Sequence, residues 1–392
     1  MSRGLWRIGN KEIEYIKEAF NCGLHNSWNK RLEEEFADRF GVNYAIGVNS
    51  GTSALHCALF AAGVTEGDEV IVPPLTFGAP AFATMLLGGV PVFADIHTDT
   101  FTIDPQDIER KITNRTKAIV PVSLYGLPSD IFSIMRVAKE HNIIVVEDNA
   151  ECFLGMYNGK IAGSVADIST FSFQRSKHLT SESGGMLVTN DEAIAERARK
   201  FSILGYATLK ARSGEQTVTM DQVQRPDFIR HELIAPNYRL PEICAAMMVA
   251  QLENIDKFVQ KRQQIADLYS SAIRGCDWLV PQKTPQDFVN SYWTYAIRLD
   301  TDKTAISWFD FRKAYLSEGG EPYYAAWMIN YLEPALNGKT FPEHGLIYER
   351  GICPIAEKIQ PQLKQFKTNF GSLQHARTQA RVLRRTIKKF AM

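Results

Sequence analysis

Lys177 stands in the stretch FSFQRSKHLTSESGGMLVT, residues 171–189, beside His178 and ahead of a glycine pair. Either side chain could do chemistry: a deprotonated amine attacks carbonyl carbon, and an imidazole moves protons near neutral pH. The surroundings favour presenting a side chain inward. STFSF reads as a strand that delivers it, Gly184–Gly185 lets the chain turn tightly, and MLVT reads as the return strand. A lysine buried there loses solvation, which favours its neutral form, the form that condenses with an aldehyde cofactor. A solvated surface lysine is the plain alternative, and this stretch alone leaves Lys177 and His178 both open.

Two further segments could serve the same chemistry. The run IIVVE ends in Asp148, at the carboxyl end of a strand, where open α/β sheets bind ligands. A carboxylate there suits a cationic ring nitrogen, or simply caps a helix or loop. After the YAIGV strand comes NSGTSAL, in which Gly51 permits a tight turn and Thr52 and Ser53 lead into a helix. Free amides and hydroxyls at a helix start suit a phosphate ester, although Ser and Thr are equally ordinary N-caps.

The elements that must position these residues follow from periodicity. Helical patterns near residues 10–22 and 29–40 precede an alternation of short apolar runs (YAIGV, EVIVP, PVFAD, KAIVPVSLYG, IIVVED) with helical ones (SALHCALFAAG, APAFATMLLGG, DIFSIMRVAKEH). That alternation predicts an α/β fold with a mostly parallel sheet covered on both faces. From Leu240 a long helical run, 243–273, is followed by the strand-like YWTYAIRL and a helix around WFDFRKAYLSEG. We place the division inside that run, giving a large α/β domain, 1–255, and a smaller C-terminal domain, 256–392. Residues 207–236 form a polar segment too long for an ordinary connection, the kind that is usually a functional loop or disordered.

Composition narrows the partners. The 392 residues carry 44 basic and 44 acidic side chains, so the broad attraction that nucleic acid or an anionic membrane would exploit is missing. The six cysteines have no C-x-x-C or metal-ligand spacing and read as reduced thiols. The N-terminal residues are charged throughout, without a signal-type apolar run, and no stretch approaches a membrane span. A cytoplasmic protein with a small-molecule partner is expected. No G-x-G-x-x-G follows a strand, which removes the main support for dinucleotide binding.

The ordered set NSGTSAL, PPLTF, VEDNAE, F-S-F-x-x-x-K-x-x-T with its glycine pair, PNYR and CPIAE resembles the DegT/DnrJ/StrS sugar aminotransferases over nearly the whole chain. The resemblance implies the type I, aspartate-aminotransferase fold and pyridoxal 5′-phosphate as cofactor. It implies that Lys177, the seventh residue from the start of FSF, is the Schiff-base lysine. Sugar 3-dehydratases of this family carry histidine at that position, so transamination is expected over dehydration, with His178 a packed imidazole. Asp148 would pair with the ring nitrogen and Phe77 stack on the ring. Gly51, Thr52, Ser53 and Ser172 would hold the phosphate, with Asn237 reaching it from the neighbouring subunit of a homodimer. Two positions depart from the family pattern: Glu151 stands where His or Gln is usual, and Ser183 where an acid usually precedes the glycines. Glu151 is retained as a cofactor contact.

The resemblance further implies L-glutamate as amino donor and a keto or aldehyde sugar as acceptor in surface polysaccharide or lipopolysaccharide synthesis. EDNAEC and QRSKH are similar to members that aminate C8 of an 8-oxo-3-deoxy-octulosonate; a nucleotide-linked keto hexose is the alternative. An octulosonate brings a carboxylate, for which Arg212, Arg225 and Arg230 are candidates. A cofactor-binding regulator without turnover and a plain α/β scaffold are the rivals from other classes.

Overall fold

The computed structural model describes residues 6–25, 27–213 and 218–390. Helices α1 (Asn10–Asn21) and α2 (Ser27–Phe40) precede β1 (Tyr44–Val48) and α3 (Gly51–Ala61). The remaining strands of the main sheet are β2 (Glu69–Val72), β3 (Val90–Phe93), β4 (Thr116–Ile119), β5 (Ile144–Asp148), β6 (Ile168–Ser172) and β7 (Gly185–Thr189). They lie in the order β1-β7-β6-β5-β4-β2-β3, and β7 alone runs against the direction of the other six. Apart from the first half of β4, these strands are buried along most of their length, as expected of strands covered on both faces.

This topology puts the carboxyl ends of β1, β5 and β6 along one edge, where β7 begins. Register confirms it: Gly185 pairs with both Val48 and Ser172. At the middle of β1, the guanidinium of Arg199 meets Glu33 of α2 in a buried two-point pair at 3.1 and 2.8 Å. Glu33 also accepts the Gly47 amide at 2.8 Å, so the strand leading to Ser50 and Gly51 is pinned from behind.

The helical run predicted from residue 243 is interrupted. It forms α4 (Glu242–Leu252) and α5 (Ile255–Ile273), with Glu253 and Asn254 between them. Beyond it, a second sheet contains β8 (Leu279–Pro281), β9 (Thr294–Leu299), β10 (Tyr324–Ala325) and β11 (Leu363–Lys367), all antiparallel in the order β8-β9-β11-β10, with α6 (Leu373–Phe390) packed beside α5. The two parts share apolar core: Tyr331, Tyr348, Cys353 and Ala356 join the cluster beneath the main sheet. The CPIAE motif belongs to this junction, since the amides of Ile355 and Ala356 donate to Asp95 at 2.8 and 2.9 Å.

One lysine of the second sheet is costly. Lys364 on β11 is fully buried, with Nζ 3.4 Å from the Gln362 carbonyl and 5.3 Å from the centre of the Phe311 ring. Burial pushes its pKa down from 10.5 to about 7. Between those values the unfolded chain binds a proton that the folded chain lacks, so stability rises with pH across the window, and the full penalty applies below about 7. Lys364→Met, which keeps the aliphatic stem, is expected to raise the unfolding free energy at pH 7 by about 1–3 kcal/mol. Denaturant titrations at pH 7 and 10 should show the pH-dependent rise flattened in the variant.

Candidate active site

The three segments singled out by residue type converge at the carboxyl edge of the main sheet. Ser50 caps α3, its hydroxyl accepting the Ser53 amide at 3.0 Å. The amides of Gly51 and Thr52, first in the helix, have no helical carbonyl to bond. A Cβ on Gly51 would lie 2.8 Å from Ser172 Cβ, and one on Gly185 would lie 2.4 Å from the Ser50 carbonyl. Glycine at both places therefore lets β1, β6 and β7 close on a cup of amides and small hydroxyls, in which Ser53 and Ser172 are buried. A phosphate group fits the amides of Gly51 and Thr52 with the Ser172 hydroxyl, and Ser53 would join them by turning its hydroxyl from Asn49 Oδ1, to which it donates at 2.6 Å.

Asp148 ends β5 and is buried. Among the described residues its carboxylate accepts one hydrogen bond, from the Ala150 amide at 2.9 Å. Burial raises its pKa, while that amide and the Lys177 ammonium act in the opposite direction. A buried carboxylate with so little protein compensation has capacity for a cationic partner.

Lys177 lies in the loop between β6 and β7. Its Nζ is 3.1 Å from Glu151 Oε1 and 4.4 Å from the centre of the Trp293 ring, with 13% of the side chain exposed. The other Glu151 oxygen accepts the Tyr125 amide at 3.1 Å. Burial raises the Glu151 pKa, opposed by Lys177 and that amide, and Asp148 raises it further. His178 points elsewhere: it is fully buried, with Nε2 3.0 Å from the Ser291 carbonyl and its ring 5.6 Å from Phe153. Burial and neighbouring cations hold it well below the usual imidazole range.

Three consecutive carbonyls fix the lysine loop. Arg7 donates to that of Arg175 at 2.9 Å, Trp293 Nε1 to that of Ser176 at 2.9 Å, and fully buried Arg262 to those of Ser176 and Lys177 at 3.4 and 3.1 Å. Arg262 also donates to the Trp293 carbonyl at 2.7 Å. Sequence reading missed Arg7, Arg262 and Trp293 because they come from far along the chain. It missed Trp327 as well, which stacks on Trp293 and Tyr125 with ring centres 5.7 and 5.9 Å apart. A signal did exist for Arg262: it interrupts the apolar face of α5, at the spacing of Phe258, Val259, Ile265 and Ala266.

Phe77 is 60% exposed on the PPLTF loop and meets Trp327 edge-on at 6.3 Å. Asn330 holds that loop through the carbonyls of Pro74 and Thr76, at 3.1 and 2.6 Å. Asn237 is exposed and accepts from Arg239 at 3.0 Å. It closes an excursion whose ends pair at Ile203 with Asn237 and Tyr206 with His231; residues 214–217 lie outside the described part. The candidate carboxylate-binding arginines of this excursion are otherwise engaged. Arg225 pairs with Asp227 at 2.7 Å, Arg230 donates to the Val223 carbonyl at 3.0 Å, and Arg212 lies 5.0 Å from the Tyr44 ring, at the end of β1 away from Ser50.

Residues 7–364 match the model of the DegT/DnrJ/EryC1/StrS aminotransferase family. The chain is 40% identical over 293 residues to the GDP-perosamine synthase of Escherichia coli O157:H7, covering 74% of this chain and 75% of that one. Among solved structures, the aminotransferase of Psychrobacter cryohalolentis is 26% identical, covers 98% of each chain and superposes with a TM-score of 0.86. DesV of S. venezuelae is 27% identical with a TM-score of 0.84, covering 97% of this chain and 95% of its own. The chain belongs to the DegT/DnrJ/EryC1/StrS aminotransferase family and is a pyridoxal-phosphate-dependent sugar aminotransferase.

Proposed function

We propose that the protein transfers the amino group of L-glutamate to the keto carbon of a nucleotide-linked hexose, as a homodimer built from subunits with a cofactor domain, 1–255, and a smaller domain, 256–392. The observation that carries the reading is the meeting of Lys177, Asp148 and the amide cup at one sheet edge. Pyridoxal phosphate, when bound, supplies the electron sink for charge developing at the donor's Cα. Gly51, Thr52, Ser53 and Ser172 would hold the phosphate, Asp148 would keep the ring nitrogen protonated, and Phe77 would pack on the ring. Lys177 would bond the cofactor at rest and carry the proton during transfer, with the clamped loop fixing its Nζ. Asn237 would reach the phosphate of the partner subunit, a role supported by its exposure three residues after the fully exposed Ile234. Free thiols at all six cysteines accord with a cytoplasmic setting.

Identity to GDP-perosamine synthase supports the nucleotide-linked acceptor. The engagement of Arg212, Arg225 and Arg230 elsewhere weakens the case for an octulosonate carboxylate. The test is to convert the enzyme with glutamate, remove the donor, and offer a GDP-linked 4-keto hexose or an 8-oxo-3-deoxy-octulosonate. Mass spectrometry is expected to find the nucleotide sugar aminated at least about tenfold faster, a discrimination of about 1.4 kcal/mol. Faster discharge by the octulosonate would transfer the assignment to that acid. Failure of every donor and acceptor would leave a cofactor-binding regulator.

A further inference from the structure

We propose that Glu151 holds the proton that Lys177 gives up on condensing with the aldehyde of the cofactor, an inference that rests on Lys177 being the lysine that bonds it. Both groups are withdrawn from water, with 13% of the Lys177 side chain and 5% of the Glu151 side chain exposed. Oε1 lies 3.1 Å from Nζ, and Oε2 is occupied by the Tyr125 amide. The titratable groups facing Glu151 are Lys177, Asp148 and the buried phenol of Tyr125. Behind Lys177 stand His178, bonded to the Ser291 carbonyl, and Arg262, bonded to backbone carbonyls.

Lys177 thus pairs directly with Glu151 and acts at longer range on the second buried carboxylate, Asp148. Condensation of its ammonium with an aldehyde forms one C=N bond, sends the carbonyl oxygen and two hydrogens out as water, and leaves one proton over. Asp148 then has the ring nitrogen for partner, whereas Glu151 has lost its own. Two carboxylates in one desolvated site cannot both remain ionised without a matching cation. The remaining proton forms an O–H bond at Glu151 Oε1, and the pair passes from ammonium and carboxylate to imine nitrogen and carboxylic acid with no change in its summed charge. The usual His or Gln of the family at this position would meet no such requirement.

Infrared difference spectra of the protein with and without pyridoxal 5′-phosphate test this directly. Loading is expected to produce the carbonyl band of a protonated carboxyl group, absent in Glu151→Gln. Titration calorimetry in buffers of different ionisation enthalpy should find about one more proton released per subunit on loading Glu151→Gln than on loading the wild type. Glutamine keeps an acceptor for the Tyr125 amide, so the fold should persist, as melting curves can verify. A band that survives in Glu151→Gln, or no band although borohydride fixes the cofactor on Lys177, overturns the proton-holding role alone. Cofactor fixed on another residue overturns both this role and the assignment of Lys177.

Discussion

Lys177→Ala is expected to lower kcat by at least about 10³-fold while leaving the fold and the phosphate cup intact. In the proposed function the amine both bonds the cofactor and carries a proton, and its loop stays fixed because Arg7, Trp293 and Arg262 grip backbone carbonyls rather than the side chain. Cofactor should still bind, without a covalent link, and borohydride should label the wild type on the peptide containing residue 177 but leave the variant unlabelled. Subunit mixing extends the test. If Asn237 reaches across a dimer, Lys177→Ala and Asn237→Ala subunits together form one site carrying both wild-type residues, and activity is expected to recover in the mixture. An active Lys177→Ala enzyme, or label on another lysine, would remove this residue from the chemistry. Inactivation by His178→Ala alone would instead favour dehydratase-like chemistry.

The contrast between those two neighbours shows what sequence could and could not supply. The placement of Lys177 in a loop between two strands was legible because strand, glycine pair and return strand frame it locally. The burial of His178 depends on Phe153 and on the Ser291 carbonyl, more than a hundred residues further on. The sheet was legible from alternating apolar runs, since strands buried on both faces carry their own signal. The break between α4 and α5 was not: Glu253 and Asn254 suit a polar helix surface, and there the Asn254 amide turns to the Gln251 carbonyl at 3.1 Å. The aromatic wall over Lys177 was hidden for another reason. Tyr125, Trp293 and Trp327 meet only when the second sheet docks on the first, through contacts such as that of Asn330 with the PPLTF loop.

Asp148→Asn is expected to lower kcat by about 10²–10³-fold, a loss of about 3–4 kcal/mol in transition-state stabilisation. Asparagine preserves size and an acceptor for the Ala150 amide, so melting temperature should change little. What disappears is the negative charge at the end of β5, and with it the reason for a ring nitrogen there to stay protonated. An unprotonated ring withdraws electrons less strongly, and the defect should fall on proton removal from the donor more than on donor binding. Stopped-flow conversion with glutamate should therefore show a lower limiting rate with little change in half-saturation. Reconstitution of the variant with N-methylpyridoxal phosphate offers an independent check, because its ring nitrogen carries a fixed positive charge. Part of the lost rate is expected to return, whereas the same analogue should not accelerate the wild type. A variant near wild-type rate with the natural cofactor would leave Asp148 as a cap of the Ala150 turn and no more.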